Sequence, residues 1–108
     1  KNKRNDAKAS SGDNSVTVCV RIRPPNPAEI EAGMKSCFTP SDDGDAVIEL
    51  HDDMITPKIW PYDFVFGAEC SNEYVFNATA RKLVSSALDG YNTVLFMYGQ
   101  TSSGKTFT

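Results

Sequence analysis

An apolar run with a β-branched start, Thr93–Tyr98 (TVLFMY), leads directly into Gly99–Thr106 (GQTSSGKT). The second stretch fits G-x-x-x-x-G-K-[ST] at every fixed position. The composition follows from what a phosphate requires. A strand delivers the chain to a turn, and glycines let the backbone pass close to the anion. Consecutive N–H groups then point inward as donors, and the positive end of a following helix faces the same charge. Gly99, Gln100, Thr101, Ser102, Ser103 and Gly104 are the expected cradle. Lys105 is expected at the β/γ-phosphates of a nucleotide, and the Thr106 hydroxyl on Mg²⁺. These two are the candidate catalytic residues. The competing reading is a Gly/Ser-rich surface turn after a buried strand. The upstream run is apolar on both faces, which predicts a central parallel strand covered on both sides.

The remainder of the 108 residues bounds the answer to one domain or part of one. Nothing reads as a membrane span or a signal-peptide core. Cys19, Cys37 and Cys70 form no C-x-x-C pair and the only histidine is His51, so free thiols are expected rather than a zinc site or a disulfide framework. Charge is uneven. Residues 1–15 carry four basic and two acidic side chains, leaving seven basic and twelve acidic in 16–108. That acidic balance argues against a nucleic-acid or membrane surface in this segment. Residues 1–14 are polar and Ser/Gly/Asn-rich and read as a disordered basic extension. Their Lys1, Lys3 and Arg4 suit a solvated tail or a localisation signal.

Taken in order, Val16–Arg23 (VTVCVRIR) alternates strictly and predicts a strand with one apolar face, ended by Pro24-Pro25. Arg21 and Arg23 leave it on the other face, by default a solvated one. Asn26–Gly33 predicts a short helix, with Asn26 as N-cap, Pro27 at the first helical position and Glu29 at the third. Ser36–Thr39 and Ala46–Leu50 read as strands joined by the turn Ser41–Asp45. That turn's aspartates lack the spacing of a calcium loop. His51–Pro57 is a loop. Ile59–Phe66 places Trp60, Tyr62, Phe64 and Phe66 at period two, which predicts one strand with an aromatic face, edge-placed by Pro61. Ser71–Asp89 predicts one helix, capped by Ser71 or Asn72 and closed by Gly90, with a stripe through Phe76, Ala80, Leu83, Val84, Ala87 and Leu88. The order predicts an α/β sheet with a right-handed crossover from Val16–Arg23 through the helix to Thr93–Tyr98.

Four segments together resemble a known family: RIRPPN at Arg21–Asn26, YDFVF at Tyr62–Phe66, SNEYVF at Ser71–Phe76, and GYNTVLFMYGQTSSGKTFT at Gly90–Thr108. In this order and spacing they resemble the N-terminal third of a kinesin motor domain, over about Val16 to Thr108. The resemblance implies a P-loop NTPase fold of kinesin type, present in part. It implies ATP or ADP with Mg²⁺ as cofactor, a microtubule partner contacted by regions outside these residues, and a cytoplasmic, cytoskeletal location. It also implies that Arg21, Arg23 and Pro24 flank the adenine, with Phe107 stacking on its far side. Thr93, Met97 and Tyr74 depart from common family residues at their positions, none of them in the phosphate loop.

The family's switch loops and microtubule-binding loops would follow residue 108. Residues 15–108 are therefore expected to be the nucleotide-binding part of an ATP-driven microtubule motor, cut after the phosphate loop and inactive and poorly folded in isolation. A kinesin-like module that binds nucleotide or a partner without turnover is the first alternative. An unrelated P-loop NTPase is the second.

Overall fold

The structure, a computed structural model, describes residues 16–108. The tail at 1–14 lies outside the described residues. Strand β1 (Cys19–Arg21) pairs in parallel with β5 (Phe64–Phe66), placing Arg21 opposite Phe66. The ladder is extended by Asp63 N–H to the Val18 carbonyl at 3.0 Å and Ile22 N–H to the Phe66 carbonyl at 2.8 Å. A second sheet runs β2 (Phe38–Pro40), β3 (Ala46–Glu49) and β4 (Lys58–Pro61), antiparallel throughout. Ser41–Asp45 turns the chain between β2 and β3, with Gly44 at φ 69°. The tip of that turn docks on β5, where Val65 N–H donates to the Gly44 carbonyl at 2.7 Å.

Helix α1 (Pro27–Glu31) forms as its residues require. Glu29 N–H donates to Asn26 Oδ1 at 2.9 Å, Asn26 N–H donates to Glu29 Oε2 at 2.8 Å, and Gly33 takes φ 67° just past the end.

Several sequence-based expectations are corrected. Ile59–Phe66 is two strands in two sheets rather than one. Pro61 ends β4, and Asp63 then binds Val18 twice, accepting its N–H on Oδ2 at 2.8 Å while donating its own N–H to the carbonyl. That double tie carries the chain from one sheet into the other.

The single helix expected over Ser71–Asp89 is α2 (Asn72–Ala78) and α3 (Ala80–Leu88), broken at Thr79 with φ −123° and ψ −72°. Thr79 donates its hydroxyl to the Val75 carbonyl at 2.7 Å and divides its N–H between the Val75 and Phe76 carbonyls. A threonine hydroxyl competing for a helix carbonyl is a known source of such breaks. Of the expected stripe only Ala80 is buried; Phe76 is exposed, and on α2 its neighbour Val75 is buried instead. The rest of the stripe, through Leu83, Val84, Ala87 and Leu88, faces Val94 and Leu95 across an open apolar concavity of about 340 Å³.

Thr93–Tyr98 forms no ladder, and Phe96 is 81% and Tyr98 93% exposed. An extended run gains stability only from paired neighbours, and no described strand pairs with this one. The expected crossover from β1 to this run is therefore replaced by one from β1 through the antiparallel sheet to β5. Val16–Arg23 also shortens to β1, with Val16 and Val18 exposed.

The core is small: Ala46, Val47, Val65, Phe66, Val75 and Ala80. Phe66, 3% exposed, is its centre, edge-on to Tyr74 at 6.0 Å and parallel to Phe64 at 6.1 Å. It fixes the end of β5, and with it the end of β1 that carries Arg21. No helix among the described residues is long and apolar enough to cross a membrane.

Candidate phosphate-binding site

The loop 99–106 is drawn tight by few internal bonds. Ser103 N–H donates to the Gln100 carbonyl at 3.1 Å, and Thr108 N–H donates to the Gly104 carbonyl at 3.1 Å, the spacing of a first helical turn. Ser102 sits at φ 65° and Gly104 at φ 95°. Alternating hand along successive residues turns their N–H groups toward one side, the geometry of an anion nest. The N–H groups of Thr101, Ser102, Gly104, Lys105 and Thr106 have no protein acceptor among the described residues. Gly99 is needed for space. A Cβ there would collide with the Ser103 hydroxyl and lie 3.1 Å from Ser103 Cβ.

Lys105 folds back over the loop's entrance. Its Nζ donates to the Gly99 carbonyl at 2.7 Å and the Gln100 carbonyl at 3.0 Å. An ammonium on two neutral carbonyls retains a charge that an anion would satisfy better. Thr106 is exposed.

The end of β1 lies beside this loop: a Cβ on Gly104 would be 4.0 Å from Arg23 Cβ. The two arginines are held in different ways. Arg21 Nη1 donates to Asn72 Oδ1 at 2.5 Å and Thr108 Oγ1 at 3.2 Å, and Nη2 donates to the Cys70 carbonyl at 2.9 Å. Its guanidinium lies over the Phe107 ring, 5.3 Å from the centroid. Arg23 forks onto Glu29, Nη1 to Oε2 at 2.7 Å and Nη2 to Oε1 at 2.5 Å, and also reaches the Pro24 carbonyl at 3.0 Å. That hydrogen-bonded fork, with the Asn26 N–H, pulls the Glu29 carboxyl down to about 2 and raises Arg23 further. Pro24 is exposed beside it.

The structure thus gathers Arg21, Phe107 and the 99–106 loop in one region, with Arg23 at its edge facing α1. Sequence reasoning missed Asn72, Thr108 and the Cys70 carbonyl as partners of Arg21, and Glu29 as the partner of Arg23. One signal existed for Asn72. Ser71 and Asn72 are adjacent cap-forming residues and a helix end uses one. Ser71 takes the cap, accepting Tyr74 N–H at 3.1 Å, and Asn72 is left free to bridge.

Elsewhere, burial and the nearby Asp63 push the Cys19 thiol up. All three cysteines are free thiols. His51 is partly exposed, Nε2 2.9 Å from Glu49 Oε1, and no metal-binding cluster occurs among the described residues.

A family profile described as the kinesin motor domain matches residues 21–108. The chain is 37% identical over 99 residues to the kinesin-like protein KIF15 of Rattus norvegicus, covering 92% of this chain and 7% of that protein. It is 38% identical over 100 residues to the kinesin-1 heavy chain of Rattus norvegicus, covering 93% of this chain and 10% of that one. A solved structure of KIF14 with ADP, in complex with a microtubule, superposes with a TM-score of 0.75 at 35% identity, covering 86% of this chain and 27% of that chain. The chain therefore spans a tenth or less of the length of the KIF15 and kinesin-1 proteins.

Proposed function

The chain belongs to the kinesin motor-domain family, and from that premise we propose that residues 99–106 hold the phosphates of MgATP in a motor that hydrolyses ATP to move along microtubules. The observation that carries the reading is the set of uncommitted loop N–H groups, turned by Ser102 and Gly104 and closed by Lys105. These are donors of the right kind for a polyphosphate. Family membership sets aside an unrelated P-loop NTPase.

Each residue then has a task. Lys105 exchanges its two carbonyls for β/γ-phosphate oxygens. Thr106 offers its hydroxyl to Mg²⁺, and the backbone from Gln100 to Lys105 lines the phosphates. Gly99 and Gly104 give the loop its shape. Arg21, Arg23, Pro24 and Phe107 form the base side. Mg²⁺, if held by Thr106, would supply charge neutralisation to the phosphates. Arg21 is in direct contact with Phe107, and two flat groups 5.3 Å apart leave no room for a ring between them. The base enters as Phe107 turns away, while Arg21 stays on its three acceptors.

Placement in the cytoplasm on the cytoskeleton follows from the same reading, as does the microtubule as partner. The test is microtubule-stimulated ATP hydrolysis by the complete motor protein. Wild type is expected to turn over ATP faster on microtubules, and Lys105→Ala to lose most of that activity. Normal turnover by Lys105→Ala refutes the assignment. Nucleotide binding without any turnover by the wild type would favour the non-hydrolysing alternative.

A further inference from the structure

Asn72 stands at the first position of α2, and Ser71 already caps that helix. Its side chain instead joins two segments far apart in the chain. Oδ1 accepts from Arg21 Nη1 at 2.5 Å, and Nδ2 donates to the Phe107 carbonyl at 2.8 Å. The amide's orientation is determined by its partners, because a guanidinium cannot accept and a carbonyl cannot donate. One planar group thus sets the distance between the end of β1 and the residue that follows the phosphate loop.

We propose that Asn72 is a positioning residue for the purine base of the nucleotide, an inference that rests on the nucleotide-binding reading of the loop. It holds the Arg21 guanidinium as a fixed wall, together with the Cys70 carbonyl and Thr108 Oγ1. It holds Phe107 by its backbone only, so the ring remains free to swing off Arg21 and admit a base. Asn72 hydrogen-bonds Arg21 and the Phe107 carbonyl and none of the loop residues 99–106, so its influence is expected on the base rather than on the phosphates. A glutamine keeps both functions one methylene further out. An aspartate keeps the acceptor for Arg21 but sets a carboxylate against the Phe107 carbonyl. An alanine removes both, while favouring the helix slightly more than asparagine does.

The test uses the complete motor protein and two ligands measured separately, magnesium ADP and magnesium pyrophosphate, alongside the melting temperature. Asn72→Ala is expected to weaken ADP binding about ten-fold, the loss of one or two hydrogen bonds at a charged group. Pyrophosphate affinity should stay within about two-fold and the melting temperature should not fall. Asn72→Asp should lose part of the ADP affinity, and Asn72→Gln should recover most of it. Unchanged ADP binding by Asn72→Ala overturns the inference. So does an equal loss for both ligands, or a loss accompanied by a lower melting temperature, since either marks a general structural tie. A wild-type protein that binds neither ligand overturns the nucleotide reading itself, and this inference with it.

Discussion

Gly99 and Gly104 are both fixed positions of the phosphate-loop pattern, and the structure requires each for a different reason. Gly104 is at φ 95°, where a side chain strains the backbone although its nearest neighbour, Arg23 Cβ, would be 4.0 Å away. At Gly99 the obstacle is Ser103, whose hydroxyl a new Cβ would strike and whose own Cβ would be 3.1 Å off. Ser103 cannot retreat freely, because its N–H is bonded to the Gln100 carbonyl. Overpacking by one methyl in such a place costs about 1–3 kcal/mol. If the bound loop keeps this shape, Gly99→Ala should weaken nucleotide binding roughly 5- to 150-fold. Removing the obstacle should restore it: Gly99→Ala with Ser103→Gly should bind close to Ser103→Gly alone. Gly104→Ala should show no such rescue, since its cost, about 1–2 kcal/mol, lies in its own dihedrals. The assay is an equilibrium titration of magnesium ADP into the complete motor protein for the single and double variants. A Gly99→Ala, Ser103→Gly protein as weak as Gly99→Ala would refute the steric account. Rescue of Gly104→Ala by Ser103→Gly would refute the conformational one.

Two further outcomes follow from the core and from the β1–α1 junction. Phe66→Ala removes the most buried side chain and should cost about 3–5 kcal/mol, read as a lower denaturation midpoint; an unchanged midpoint would show that the β1–β5–α2 junction is not a stabilising core. Glu29 has its carboxyl lowered from 4.5 to about 2, so its contribution to stability is present above pH 4.5 and is lost as pH falls from there toward 2. Carboxyl NMR should place its midpoint well below that of an ordinary glutamate. Glu29→Gln should remove its part of the acid destabilisation in that window, and a midpoint near 4.5 would mean the Arg23 fork does not persist in solution.

Local chemistry was legible in the sequence and long-range pairing was not. The cap of α1 could be read from Asn26, Pro27 and Glu29 because every bond in it spans a few residues. The turn at Ser41–Asp45 and the phosphate-loop pattern were legible for the same reason. Period-two spacing of Trp60, Tyr62, Phe64 and Phe66 suggested one strand, but periodicity is blind to a change of sheet. The switch is made by Asp63 binding Val18, 45 residues away. The stripe on α2–α3 was visible, whereas the break was not, because Thr79 is tolerable in a helix until its hydroxyl takes the Val75 carbonyl. Thr93–Tyr98 was read as a central strand from its apolar content. Content expresses a need for neighbours without naming them, and no strand among the described residues pairs with this run. At the candidate site, the family resemblance supplied Arg21, Arg23, Pro24 and Phe107 around a base, whereas the structure sets Arg21 directly over Phe107 and turns Arg23 onto Glu29. Asn72, the common partner of Arg21 and Phe107, was hidden behind its more familiar use as a helix cap.

The most direct test of the account observes the loop's own donors. In the complete motor protein, amide NMR with and without magnesium ADP should show large shifts at the N–H groups of Thr101, Ser102, Gly104, Lys105 and Thr106, with little change in the β2–β3–β4 sheet. ADP binding that leaves those five amides unmoved, or that perturbs the β2–β3–β4 sheet instead, would contradict the claim that residues 99–106 hold the phosphates.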